Sequence, residues 1–217
     1  MPVDTKDLIN HPRIWRGCEI DTGGRTTNAG LSTGFDELDS YLPGGGWPQQ
    51  AVTEICLDRY GIGELSLLMP ALASLSGPAF EQWLVWVAPP FVPYAPALIR
   101  CGIDLSRVLL VHPAGAKRDA LWAVEQAIQS KASVAVLAWL AEADHTALRG
   151  LQLGAEENHC WTVLFRPLAA LEESSPAALR FKLSTTAQGV RIDILKCRGR
   201  RPATIDLFAG HGRVVWR

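Results

Sequence analysis

Four nearly unbroken apolar runs constrain the fold: QWLVWVA (82–88), VLLVH (108–112), SVAVLAWL (133–140) and WTVLF (161–165). A run without polar alternation is what a strand buried on both faces shows. Between the runs lie segments of helical period. One spans 93–101, one spans 118–130 with Leu121, Val124 and Ile128 on a face, and one spans 144–158 with Leu148, Leu151 and Ala155. Upstream, AVTEICL (51–57) reads as a strand and 64–75 as a helix carrying Leu65, Leu68, Leu72 and Leu75, with Pro70 expected to kink it. Ser32 or Thr33 is placed to cap an earlier helix bearing Phe35, Leu38 and Leu42, which Pro43-Gly44-Gly45-Gly46 ends. Strands alternating with helices predict an α/β domain with a mainly parallel sheet flanked by helices. Two further strands, 179–186 and 190–197, joined by Ala187-Gln188-Gly189, predict a C-terminal antiparallel hairpin. The chain thus divides into an N-terminal arm (1–30, with a short helix around 5–15), an α/β domain (31–197) and a basic C-terminal tail (198–217). Truncation before Lys196 is expected to leave the core folded.

Function classes narrow next. A formal net charge of −1 implies no general affinity for nucleic acid, so basic contacts must be local. The five cysteines are scattered and never form a C-x-x-C pair, which reads as reduced thiols of a cytoplasmic protein rather than a zinc site or disulfide framework. The N-terminal stretch has no apolar leader core, and no run reaches the ~18 apolar residues of a membrane span.

The stretch EICLDRYGIGELSLL (54–68) places a glycine-bearing turn between a strand and a helix, where a nucleotide-binding chain carries its phosphate loop. The working pattern G-x-x-x-x-G-K-[ST] needs a lysine for the phosphates and a hydroxyl for magnesium. Aligned on Gly63, with Gly61 before it, Glu64 takes the lysine position, Leu65 the hydroxyl position and Asp58 the first-glycine position. A carboxylate against a triphosphate costs on the order of a few kcal/mol. The runs at 82–88 and 133–140 also end without the acids that would activate water or hold magnesium. The turn keeps a helix start and loses the nucleotide chemistry. No catalytic residue, cofactor or metal is assigned.

Elsewhere, His112 reads as a solvent-touching strand end, and no histidine has a partner at metal spacing. Asp36 and Asp39 suit a solvated face or a salt bridge. Trp47, Trp86 and Trp139 suit the core. Trp122 falls off the inward stripe of its helix and is a candidate for partner contact. Lys196, Arg198, Arg200 and Arg201 form either a solvated charge run or a docking patch.

With these residues in hand, the chain resembles the RecA-like core. LSTGFDELDSYLPGGGWPQQAVTEI matches the leader into the RecA phosphate loop, and CGIDLSRVLLVHP the next strand–helix unit. Within that group it is most similar to the ImuA family of degenerate RecA relatives, through GGGWP (44–48), GIGEL (61–65), APPFVPYAPAL (88–98), RDALWAVEQ (118–126), LRGLQLGAEE (148–157) and LKCRGRRP (195–202). The middle, roughly 65–167, also resembles the SulA cell-division inhibitors, through WLVWVAPP, GIDLSRVLL and LAWL. The ImuA resemblance implies a RecA-like fold without catalysis and a role in damage-induced translesion DNA synthesis. It implies binding to an ImuB-type Y-family-like protein, with RecA and the error-prone C-family polymerase as further candidates, and leaves self-association open. The SulA resemblance implies, as the alternative, inhibition of FtsZ. An ATPase with an altered loop is the enzyme alternative. Short connections at 140–144 and 166–176 leave little room for recombinase-type DNA loops.

Overall fold

The computed structural model describes residues 29–114 and 117–208. Most of the expected N-terminal arm and the last nine residues lie outside that range. The elements in chain order are α1 (Asp36–Tyr41), β1 (Val52–Leu57), α2 (Glu64–Leu75), β2 (Trp83–Val87), α3 (Ala95–Arg100), β3 (Val108–Val111), α4 (Lys117–Gln129), β4 (Ser133–Trp139), α5 (His145–Glu157), β5 (Trp161–Pro167), β6 (Leu179–Thr185), β7 (Gly189–Cys197) and β8 (Ala203–Phe208). The strands form one sheet in the order β3-β2-β4-β5-β1-β6-β7-β8. From β3 to β6 all pairings are parallel; β6–β7 and β7–β8 are antiparallel. The α/β reading, the mainly parallel sheet and the C-terminal hairpin all stand.

Each sheet face buries its own core, as the apolar runs require. One face packs Ile55, Trp86, Trp139 and Phe165 with Leu38 of α1 and Leu68 and Leu72 of α2. The other packs Val52, Val85, Val136 and Leu164 under Val124 and Ile128 of α4 and Leu148 and Leu151 of α5. Trp139 stacks on Phe165 with ring centroids 4.6 Å apart, and Trp47 on Trp161 at 5.8 Å.

Two expectations need correction. Residues 198–217 are not wholly a tail: Ala203–Phe208 is the eighth strand, paired in register with β7 from Gly189↔Phe208 to Ile194↔Ala203. Ile205 and Leu207 are buried in the core, so truncation before Lys196 would strip a strand and part of β7 rather than spare the domain. The start of α1 is not capped by Ser32 or Thr33. Instead Asp39 reaches back, accepting the Thr33 N–H at 2.9 Å and the Ser32 hydroxyl at 2.8 Å. Pro70 lies inside α2, which runs through it as one helix.

The Pro70 ring lies against Gly34, whose φ is +81° and whose added Cβ would fall 2.5 Å from the Pro70 Cβ. Gly34→Ala meets both an unfavourable backbone and a clash, so chemical denaturation should show a loss of about 2 kcal/mol or more. An unchanged midpoint would mean the leader does not pack as described.

Thiol chemistry gives a second check. Burial pushes the Cys160 thiol up to about 12 and the Cys197 thiol up to about 11, and it raises Cys56 as well. Raised values leave little thiolate at pH 8, and all three are buried. Native protein treated with an aromatic disulfide reagent at pH 8 should therefore react at half-buried Cys101 and leave Cys56, Cys160 and Cys197 unlabelled until denatured. Early labelling of Cys160 would contradict the packing of β5.

Candidate functional site

β1, near the middle of the sheet, delivers the chain into the turn 58–63. Two glycines shape this turn in left-handed backbone that other residues rarely adopt: Gly61 at φ +83° and Gly63 at φ +108°. Gly63 is the residue before α2, so Glu64 opens the helix. Its side chain does not point to solvent. One carboxylate oxygen accepts the Gly61 N–H at 2.7 Å and the other the Ile62 N–H at 2.9 Å, and the residue is only 4% exposed.

These are the backbone donors with which such a turn would cradle a phosphate. Here they are taken by a carboxylate supplied from two and three residues further along the chain. The arrangement is favourable in itself, because free N–H groups and the helix dipole at an N-terminus both stabilise negative charge. It is also exclusive: an incoming phosphate would meet both occupied donors and a like charge. Burial, and then the Glu64 charge, raise the Tyr60 phenol above its ordinary range.

An open cleft of about 720 Å³ lies over the turn, closed on its far side by the β6–β7 hairpin; Arg59, Tyr60, Leu65, Ser66, Gln188 and Val190 line it. The strand ends that would complete a nucleotide hydrolase carry no acid. β2 runs into Ala88, at φ +53°, and Pro89. β4 ends at Trp139, whose ring is spent on Phe165. Among the described residues, no group of three or more His, Cys, Asp or Glu is placed to hold a metal ion.

The largest electrostatic feature was not singled out in the sequence. Glu54, in the centre of β1, is fully buried. Its carboxylate lies 3.0 Å from Nη1 of Arg166 on β5 and 3.3 Å from Nε of Arg180 on β6. The two guanidiniums also tie down neighbouring connections, Arg166 the one between β4 and α5 and Arg180 the one after β5. Arg166 donates to the Ala143 carbonyl at 3.1 Å, and Arg180 donates to the carbonyls of Glu173, at 2.6 Å, and Ala170. Glu173, largely exposed, approaches Arg166 at 3.8 Å. This is a pin across three neighbouring strands, sealed from water beneath the segment 168–173. Part of the signal was present: β1 and β5 each carry one charge in a largely apolar strand, while β6 carries both Arg180 and Lys182. A similar tie joins α5 to the sheet, where the Gln152 side-chain oxygen accepts the N–H groups of Val52 and Ala178.

The proposed basic patch divides in two. Lys196 donates to the Ser175 carbonyl at 2.6 Å, and Arg198 pairs with Glu156 at 3.1 Å. Arg200 and Arg201 are exposed at the β7–β8 turn. Trp122 is 62% exposed, as its position off the inward stripe of α4 implied. The structure does not bring Trp122 and the arginines together with the glycine turn as one site.

No protein-family model matches the chain. It is 27% identical to Protein ImuA from two strains of Caulobacter vibrioides, NA1000 / CB15N and ATCC 19089 / CIP 103742 / CB 15, over 221 aligned residues covering 89% of this chain and 90% of each relative. The crystal structure of SulA from Pseudomonas aeruginosa matches at 28% identity over 54% of this chain and 97% of that one, with a TM-score of 0.45. The resemblance to ImuA first read from short strings thus extends over nearly the whole chain.

Proposed function

We propose that this chain is a non-catalytic accessory protein of damage-induced mutagenesis, working in bacterial translesion DNA synthesis by binding other proteins. An ImuB-type Y-family-like protein is the first partner, with RecA and the C-family polymerase next. The observation that carries the reading is the Glu64 carboxylate seated on the Gly61 and Ile62 N–H groups. The acid-free ends of β2 and β4 and the similarity to ImuA along 89% of the chain support it. A site filled by its own side chain has no need of a cofactor, which leaves the fold as a scaffold for contacts. Among the described residues no helix is long and apolar enough to cross a membrane. A cytoplasmic setting follows from the role proposed.

The test is direct mixing. The purified chain and a purified ImuB-type protein should form a complex that needs neither nucleotide nor magnesium. Absence of a complex, together with magnesium-dependent ATP turnover by the chain alone, would reverse the reading.

A narrower prediction concerns the C-terminal arginines. Changing both Arg200 and Arg201 to alanine should leave stability within about 0.5 kcal/mol. If they dock an acidic partner, the double change should slow association several-fold at low salt and alter dissociation little. Identical association rates at two salt concentrations would leave these arginines as ordinary solvated surface.

A further inference from the structure

The two edges of the sheet are guarded differently. β8 presents Asp206, joined to Arg191 at 2.7 and 2.8 Å, and Thr204, which donates to Asp193 at 2.8 Å. Charges along an edge deter pairing with another chain. β3 has no such guard. It is Val108-Leu109-Leu110-Val111, without charge or proline, and among the described strands it pairs only with β2. Leu109 is 45% and Leu110 36% exposed, on opposite faces.

The connection from β2 into α3 extends this apolar surface, ahead of Arg100, Asp104 and Arg107, which lead into β3. From Val85 to Ile99 the chain carries no charged residue. Within it Phe91 and Tyr94 are each 70% exposed, Val92 79% and Ile99 59%. Pro89, Pro90, Pro93 and Pro96 stiffen the segment, so holding these side chains in one arrangement costs little additional entropy.

We propose that this face is a two-fold interface between copies of the chain, in which β3 pairs antiparallel with β3 of a second copy. The outer backbone groups of β3 call for a strand. The six exposed side chains offer on the order of 700 Å² per copy, close to the ~800 Å² per partner of a standard stable interface. Charge supports the same occupant: Val85–Ile99 and β3 carry no charged residue, so setting these stretches against their own copies brings no like charges together there, with Arg100, Asp104 and Arg107 lying between them in the chain.

The geometry is specific. Antiparallel neighbours related by a two-fold axis lie across a sheet whose corresponding faces stay on the same side. Facing residues must then share a face, so one residue of β3 stands opposite its own copy. That residue is Leu109 or Leu110, and not both. The inference is independent of the translesion reading.

Sedimentation of the full chain at tens of micromolar should show a dimer. Leu109→Lys and Leu110→Lys should each shift it to monomer, with circular dichroism unchanged. As a second measure that leaves the edge apolar, Leu109→Cys and Leu110→Cys should be oxidised separately and compared with the unsubstituted chain. One of the two should form a covalent dimer well above that background. A monomeric chain at 100 micromolar would overturn the proposal, as would lysine variants that stay dimeric, or cysteine variants that cross-link equally or not at all. A monomer whose lysine variants lose a purified ImuB-type protein would overturn it too, and would assign the face to that partner.

Discussion

Glu54→Ala should lower the unfolding free energy by about 3–5 kcal/mol, because removing one partner of a buried pair leaves the other charge without compensation. Two guanidiniums depend on this carboxylate, Arg166 at 3.0 Å and Arg180 at 3.3 Å, and all three groups are buried. For a chain of this size each kcal/mol is worth roughly 2–4 °C, so the midpoint should fall by about 10 °C. Urea titration with circular dichroism checks it; a change under about 1 kcal/mol would contradict the pin. Arg180→Ala should add a local sign. Losing its bonds to the carbonyls of Ala170 and Glu173 should free the segment 168–173, visible as faster amide exchange there.

Glu64→Ala is the second large effect. It removes two hydrogen bonds to a charged acceptor, each worth about 1.5–3 kcal/mol when fully desolvated. Water can reach the half-buried turn and recover part of this, so the expected loss is about 2–3 kcal/mol, read as a lower midpoint in a thermal melt. Glu64→Gln keeps one acceptor oxygen and should fall between the alanine variant and the parent. If Glu64→Ala is as stable as the parent, the carboxylate is not the resident occupant of the turn. Glu64→Lys should give no magnesium-dependent ATP turnover, because the strand ends of β2 and β4 would still lack an acid.

The strands of the parallel sheet were legible because burial on both faces leaves an unbroken apolar run, as in Ser133–Trp139, where all seven residues are buried. β8 was missed because Arg198, Arg200 and Arg201 dominate the composition just before it. The alternation of Ala203, Ile205 and Leu207 with Thr204 and Asp206 was the competing signal, a period of two with one face inward. At the site, the position of Glu64 could be read from the motif, but its hydrogen bonds could not. They depend on left-handed backbone at Gly61 and Gly63, which folds the turn back over the helix start. The Glu54 pin was hidden for another reason. Glu54 and Arg166 are 112 residues apart, and only the pairing of β1 with both β5 and β6 sets the guanidiniums on its carboxylate.

The central claim is that the phosphate cradle is filled by the chain's own carboxylate. Titration of the purified protein with labelled ATP and magnesium tests it most directly. No saturable binding is expected up to millimolar nucleotide. Saturation at tens of micromolar, weakened by substituting Gly63, would show that Glu64 yields its place to a phosphate and would contradict the claim.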